Sequence, residues 1–296
     1  MNFNPAADNN NSSGQAIAAR GDLTIGKLLL EAGKLKPQDA ERVLRVQKEY
    51  NLRFGEAALK LGLVTEEDIQ QVLALQFNYP YLPDGHGNFS RELVAAYRPF
   101  SEEVEALRAL RTQLLLRWFG QGHRTLSIVG AKGGEGASYL AANLAIVFSQ
   151  LGEKTLLIDA DLRRPRQHRF FNLGDSTRGL SDILAGRAGQ EAIKPVDAFV
   201  SLSVLTAGTL PPNPGELLSS RATLGQLLAQ LSVRFDVILI DTHSASQPAD
   251  FQSVAASAGA ALLVTRRNAT RMTEVTALKE AALGAGATVV GAVVVG

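Results

Sequence analysis

The chain has 296 residues, 46% of them hydrophobic, which is enough apolar material for one large domain or a large and a small one. A formal charge of +1 gives no global attraction to nucleic acid or to an anionic membrane, and no nucleic-acid partner is expected. Cysteine is absent, which excludes disulfides, thiol catalysis and cysteine-ligated metals.

Residues 1–20 are polar and lack the apolar run of a secretion signal, so a disordered lead is expected. The longest uncharged run, 281–296, is too short and too rich in glycine to predict a membrane span, which makes the cytoplasm the default compartment. Next comes an internal repeat: shifting the chain by 29 residues lays Thr24–Gln47 on Arg53–Gln76. Gly26 then meets Gly55, Gly33 meets Gly62, Leu35 meets Val64 and Leu44 meets Leu73. Each copy reads as a short helix, a glycine turn and a second helix, with Pro37 suited to a first helical position and Thr65 with Asp68 forming a capping box. Gly33 and Gly62 are expected at helix ends. Neither copy can bury its apolar face alone, so a four-helix unit over about 21–82 is predicted. Residues 83–100 carry proline, glycine and mixed polar residues without sustained periodicity and read as a linker to a domain over 101–296.

From Thr125 onward, short apolar, β-branched runs alternate with helical stretches. This order predicts an α/β domain, a parallel sheet with helices on both faces, whose ligands bind beyond the carboxyl ends of the strands. Three motifs fall at such ends. The first, "VGAKGGEGAS" over 129–138, places Gly133, Gly134 and Gly136 between a strand and a helix, so that backbone N–H groups converge on an anion and the helix dipole assists. Ser138 then holds the Mg²⁺ position of a P-loop, while Ala137 stands where the phosphate-gripping lysine is expected. A tight strand-to-helix turn also needs glycine, and that is the competing reading of the loop taken by itself. In the second motif, "LLIDADLRRP", Asp159 and Asp161 sit two apart where extended geometry points both to one face. Two carboxylates so close are unfavourable unless a cation or proton is shared, and a nearby Mg²⁺–nucleotide is the economical explanation. In the third, "FDVILIDTHS", Asp241 ends a buried strand in the layout of a Walker B acid. His86, His123, His168 and His243 show no metal spacing and are expected on loops or the surface.

These residues carry two resemblances. Over about 91–296 the chain resembles the bacterial tyrosine kinases that partner chain-length determinants, of the exopolysaccharide EpsG type, in "GEGAS", "LLIDADLRRP", "GLSDILAG", "AGTLPPNPGELLSS", "DVILIDT" and "EALRALRTQLL". The resemblance implies a P-loop fold binding ATP or ADP with Mg²⁺ through Gly133, Gly134, Glu135, Gly136, Ala137 and Ser138. It implies Ser138, Asp159 and Asp241 around the metal and Asp161 as the group that deprotonates the tyrosine, with Arg163 and Arg164 facing substrate or phosphate. It further implies that Glu105, Arg108 and Arg111 form a Glu-x-x-Arg-x-x-Arg pattern that builds a homo-oligomer, and that a membrane chain-length determinant recruits the chain to the inner membrane for exopolysaccharide export. The family's tyrosine-rich end is missing, since Tyr50, Tyr79, Tyr81, Tyr97 and Tyr139 all lie in the first half. Lys132 matches the signature lysine of partition and division-site ATPases, where it reaches a partner's nucleotide, and so is a substitute for the missing charge or a solvated lysine. Two alternatives follow: an ATP-dependent dimerising switch of that type, suggested by Lys132, and a nucleotide-free scaffold, suggested by Ala137. The front repeat resembles the N-terminal domain of type II secretion and pilus ATPases, which implies cyclic di-GMP at Arg53, Gly55, Gly62 and Gln76. The first copy departs from that pattern with Thr24, Lys34 and Ala40, and a protein-docking module is the competing reading.

Overall fold

A computed structural model describes residues 24–76, 80–82, 87–174, 178–219, 221–245 and 248–296. The expected lead over 1–20, His86 and the side chain of Gln76 lie outside the described residues. The chain divides into two compact units, Met1–Pro80 and Tyr81–Gly296.

Among its described residues the first unit has four helices, α1 (Ile25–Glu31), α2 (Pro37–Tyr50), α3 (Phe54–Lys60) and α4 (Glu66–Gln76). Pro37 occupies the first turn of α2, where its missing N–H costs nothing. Thr65 caps α4 reciprocally: its N–H donates to Asp68 Oδ2 at 2.9 Å, and the Asp68 N–H donates to Thr65 Oγ1 at 3.1 Å. Gly33 and Gly62 adopt φ of 68° and 64°, and the following N–H groups reach back to Leu29 O and Ala58 O in Schellman closures. Gly26 and Gly55 serve a different end. A Cβ on Gly26 would stand 3.0 Å from the Phe54 ring, and one on Gly55 3.2 Å from Ile69, so both let helices approach closely. Leu29, Val43, Ala57, Ala58 and Val72 fill the core beneath them. Lys34, which breaks the apolar pattern of the first copy, pairs with Asp68 of the second at 2.7 Å. Burial alone pushes the Asp68 carboxyl up, but this ammonium and the Thr65 hydrogen bonds outweigh it and hold it below its usual range.

The second unit contains α5 (Val94–Tyr97), α6 (Glu102–Arg117), β1 (Thr125–Gly130), α7 (Ala137–Gln150), β2 (Thr155–Asp159), α8 (Gln167–Phe170), α9 (Leu180–Leu184), β3 (Lys194–Pro195), β4 (Leu202–Leu205), α10 (Pro214–Ser219), α11 (Arg221–Leu231), β5 (Val237–Asp241), α12 (Pro248–Ala258), β6 (Ala260–Arg266), α13 (Met272–Gly284) and β7 (Thr288–Val295). The described strands form one sheet in the order β3-β4-β2-β5-β1-β6-β7. Every ladder is parallel except the short β3–β4 edge pair, so the expected α/β architecture is present. The continuous apolar runs of β2 and β5 are buried at every position because both sheet faces are covered. Leu157 and Leu239 face the core under α7, whereas Leu156, Ile158, Ile238 and Ile240 face the opposite core with Leu180, Leu218 and Leu224.

The segment read as a linker differs from that expectation over its described part, 87–100. Leu93, Val94, Ala95, Ala96 and Tyr97 are buried against α7. Asn143 of α7 ties the segment down, accepting from the Ala95 N–H at 2.9 Å and donating to Glu92 O at 3.0 Å. Five apolar residues are too few to show a helical period, yet enough to be held once a polar anchor satisfies their backbone.

Candidate functional site

The β2–β5 register sets Asp159 directly beside Asp241 at the carboxyl ends of neighbouring strands, and Asp241 in turn is level with Ile128 of β1. The glycine loop leaves β1 at the same end. Gly134 and Gly136 adopt φ of 87° and 89°, a region that other residues enter only with strain, and Gly136 is the N-cap of α7. Gly133, Gly134, Gly136, Ala137 and Ser138 line a cavity of about 430 Å³, with Asp161, Arg164, Arg166, Thr242 and His243 across from them.

Asp159 is fully buried and accepts the backbone N–H groups of Asp161, Arg166 and Gln167 at 3.2, 3.0 and 3.0 Å. Burial, then the neighbouring Asp241 charge, push its carboxyl well above the ordinary range despite those bonds. Asp241 is pushed up to about 7 by burial, against opposing hydrogen bonds from Gln167 and the Ser138 hydroxyl. Gln167 Nε2 donates to Asp241 Oδ2 at 2.8 Å and to Ser138 O at 3.1 Å, joining β5 to the start of α7. Asp241 Oδ1 and Gln167 Oε1 are buried with no hydrogen-bond partner among the described residues. A buried carboxylate oxygen without a donor is costly, and an ion is a standard resolution. The oxygen donors of Ser138, Asp159 and Asp241 suit a hard cation. Among the described residues no three acidic or imidazole groups could cage an ion alone. That suits Mg²⁺, which keeps waters and binds through one or two carboxylates plus phosphate oxygens.

Asp161 accepts the N–H groups of Arg163 and Arg164 at 3.1 and 2.9 Å, and its Oδ1 lies 2.8 Å from His243 Nδ1. His243 lies on the loop after β5, as expected, but not at the surface: it is buried and paired with a candidate catalytic acid. Of the two arginines expected to face substrate or phosphate, Arg163 forks onto Asp250 of α12 at 2.5 and 3.2 Å, whereas Arg164 lines the cavity. Glu135 does not present its carboxylate as a solvated loop residue would. It is buried, accepting the Lys132 N–H at 2.8 Å and the Thr270 hydroxyl from the loop after β6. The Lys132 ammonium pairs with Glu274 of α13 at 2.6 Å. On α6, Arg108 pairs with Glu105 of the same helix, and Arg111 Nη1 donates to Val147 O of α7 at 2.6 Å. The intrahelical alternative to intersubunit pairing is thus present for Glu105. In the first unit, Gly55 has a packing role and Gly62 a turn role, and Arg53 is exposed, with its N–H bound to Glu56 Oε2 at 2.8 Å. Gln167 and His243 are the site residues that sequence reasoning misses. The only local signal for Gln167 is its place in "RRPRQHR", and for His243 its place two residues after Asp241.

Residues 122–288 match the family model described as ParA, NUBPL iron-transfer P-loop NTPase. The chain is 36% identical over 191 residues to tyrosine-protein kinase YwqD of Bacillus subtilis (strain 168), covering 64% of this chain and 80% of that one. It is 35% identical over 184 residues to tyrosine-protein kinase wzc of Salmonella typhimurium, covering 62% of this chain but only 25% of that longer protein. Among solved structures, the kinase domain of the Escherichia coli tyrosine kinase ETK superposes with a TM-score of 0.67 at 31% identity, over 74% of this chain and 89% of that one. The septum site-determining protein MinD complexed with Mg-ADP, from Pyrococcus horikoshii OT3, superposes with a TM-score of 0.51 at 27% identity, over 58% and 70%.

Proposed function

Because the chain belongs to the bacterial tyrosine-kinase family of P-loop proteins, we propose that it binds Mg²⁺–ATP at the loop over 131–138 and passes the γ-phosphoryl group to a tyrosine hydroxyl. The observation that carries this reading is the buried Asp159–Asp241 pair beside Ser138, with one Asp241 oxygen unpartnered among the described residues. The loop N–H groups, opened by Gly134 and Gly136, cradle the phosphates. Ser138 and Asp241 would hold the cation, with Asp159 beside Asp241 on the neighbouring strand. A cation bound there would neutralise charge developing on the transferred group. Asp161 takes the tyrosine proton as the phenolic oxygen attacks, and His243 with the two turn N–H groups keeps that carboxylate aimed. Iron transfer, in the name of the matched family model, does not carry over, since the chain has no cysteine to hold a cluster.

The wider role follows the same family. The chain acts at the cytoplasmic face of the membrane with a chain-length determinant in exopolysaccharide export, assembling through α6. For the helical unit we favour protein docking over cyclic di-GMP, because internal packing and turn geometry already account for Gly55 and Gly62. Calorimetric titration of Mg²⁺–ATP tests the site. Asp159→Asn should weaken binding by about tenfold or more, from the loss of one charged contact. An affinity unchanged by that substitution sinks the assignment.

A further inference from the structure

Beside the nucleotide cavity lies a second one, of about 600 Å³. Arg163, Arg164, Arg166, His168 and Arg169 line it, and no carboxylate does among its described walls. Arg163 and Arg166 are engaged by Asp250 and Glu92, whereas Arg164 has no acidic partner among the described residues. Such a concentration of guanidinium groups is self-repelling and favours an anionic occupant. The glycine loop lines only the other cavity, so nucleotide phosphates have their donors elsewhere. Arg164 and Arg166 line both cavities, and Asp161 lines the nucleotide one, so the two spaces meet across the turn that follows β2.

That adjacency constrains what approaches Asp161. A polypeptide delivering a tyrosine hydroxyl there carries neighbours at about 3.3–3.6 Å per residue, so one to three positions along the chain reach about 10 Å. We propose that the arginine cavity is an acceptor subsite that selects aspartate or glutamate one to three residues from the tyrosine to be phosphorylated. The inference rests on the kinase reading above and adds its substrate class. A guanidinium fork matches a carboxylate bidentately, which gives orientation as well as attraction. Leu210, exposed at the rim, offers an apolar contact for the stem of such a side chain.

The test uses the full chain and two fluorescein-labelled peptides with one central tyrosine, flanked by glutamate in one and by glutamine in the other. Fluorescence anisotropy is read with and without Mg²⁺–ADP. The wild-type chain should bind the glutamate peptide about tenfold more tightly or better. Arg169→Glu should abolish that preference and Arg169→Lys, which keeps the charge but loses the fork, should keep only part of it, both leaving Mg²⁺–ADP affinity unchanged, because Arg169 does not line the nucleotide cavity. Equal binding of the two peptides, or a preference intact in Arg169→Glu, overturns the inference. Displacement of the glutamate peptide by an equal concentration of inorganic phosphate overturns it too, since the cavity is then a small-anion site. A wild-type chain that selects the acidic peptide yet binds no ADP would instead overturn the nucleotide reading, so the two failures are distinguishable.

Discussion

Ala137 opens α7 at the mouth of the glycine loop and brings no charge to it, and the Lys132 ammonium is paired with Glu274. A charged hydrogen bond contributes about 1.5–3 kcal/mol, so Ala137→Lys should tighten Mg²⁺–ATP by roughly ten- to a hundredfold. A charge aimed at the moving phosphoryl group acts more on the transition state, typically by about 10²–10³ in rate. Phosphorylation of a tyrosine peptide should therefore rise more than calorimetric affinity, and equal gains in both would contradict a transition-state role. Asp241 supplies a second expectation at this scale. Its carboxyl lies near 3.8 in the unfolded chain and is pushed up to about 7 in the folded one, mainly by burial. The folded state thus holds the proton more tightly. Its contribution to stability is complete below about pH 4 and is lost as pH rises through about 7. The melting temperature of the ligand-free chain should fall between pH 5 and 8, and Asp241→Asn should flatten that slope. Mg²⁺–nucleotide affinity should climb over the same interval, since the ionised carboxylate is the one that holds a cation.

Among the elements, α6 separates two arginines that the sequence treats alike. Arg111 bonds the Val147 carbonyl, so Arg111→Ala removes a charged hydrogen bond within the monomer and should cost about 1.5–3 kcal/mol in denaturant unfolding. Arg108 pairs with Glu105 on the same helix, a contact whose loss should cost less than about 0.5 kcal/mol. Arg108→Ala probes assembly: light scattering should report a smaller particle. An unchanged mass favours a role within the monomer alone. The same helix shows where sequence reading stops. Its pattern is visible in the chain, but whether a guanidinium turns to a neighbour's helix or to α7 depends on packing. The glycine loop, Asp159 and Asp241 are legible because each punctuates an apolar run at a strand end. Gln167 is not, because seven residues separate it from Asp159, and only the fold brings its amide to Asp241. His243 is missed for a related reason: its partner Asp161 is far away in sequence. The helix Val94–Tyr97 is hidden because a one-turn helix carries no period to detect.

For the whole molecule, the strand-helix alternation from Thr125 onward sufficed to expect a parallel sheet, since burial on both faces demands continuous apolar strands. Strand order was not legible, because β5 inserts between β1 and β2 only through tertiary pairing. The 29-residue repeat shows its symmetry in the sequence, and the Lys34–Asp68 pair explains one position where the copies differ in polarity, Lys34 against Leu63.

The tether between Glu135 and Thr270 makes the glycine loop and the approach to α13 one mechanical body, reinforced by Arg266 bonding the Gly134 carbonyl at 3.3 Å. Coupling between two sites is reciprocal. Whatever factor nucleotide exerts on the affinity of a partner for α13, that partner must return to the nucleotide. The loop is thereby tied to a helix that is not part of its cavity wall. Amide hydrogen exchange along α13 should slow when Mg²⁺–ADP is added to the wild-type chain. Thr270→Val, which keeps the shape but removes the hydroxyl from the buried Glu135, should weaken that response, and the Lys132–Glu274 pair carries what remains of it.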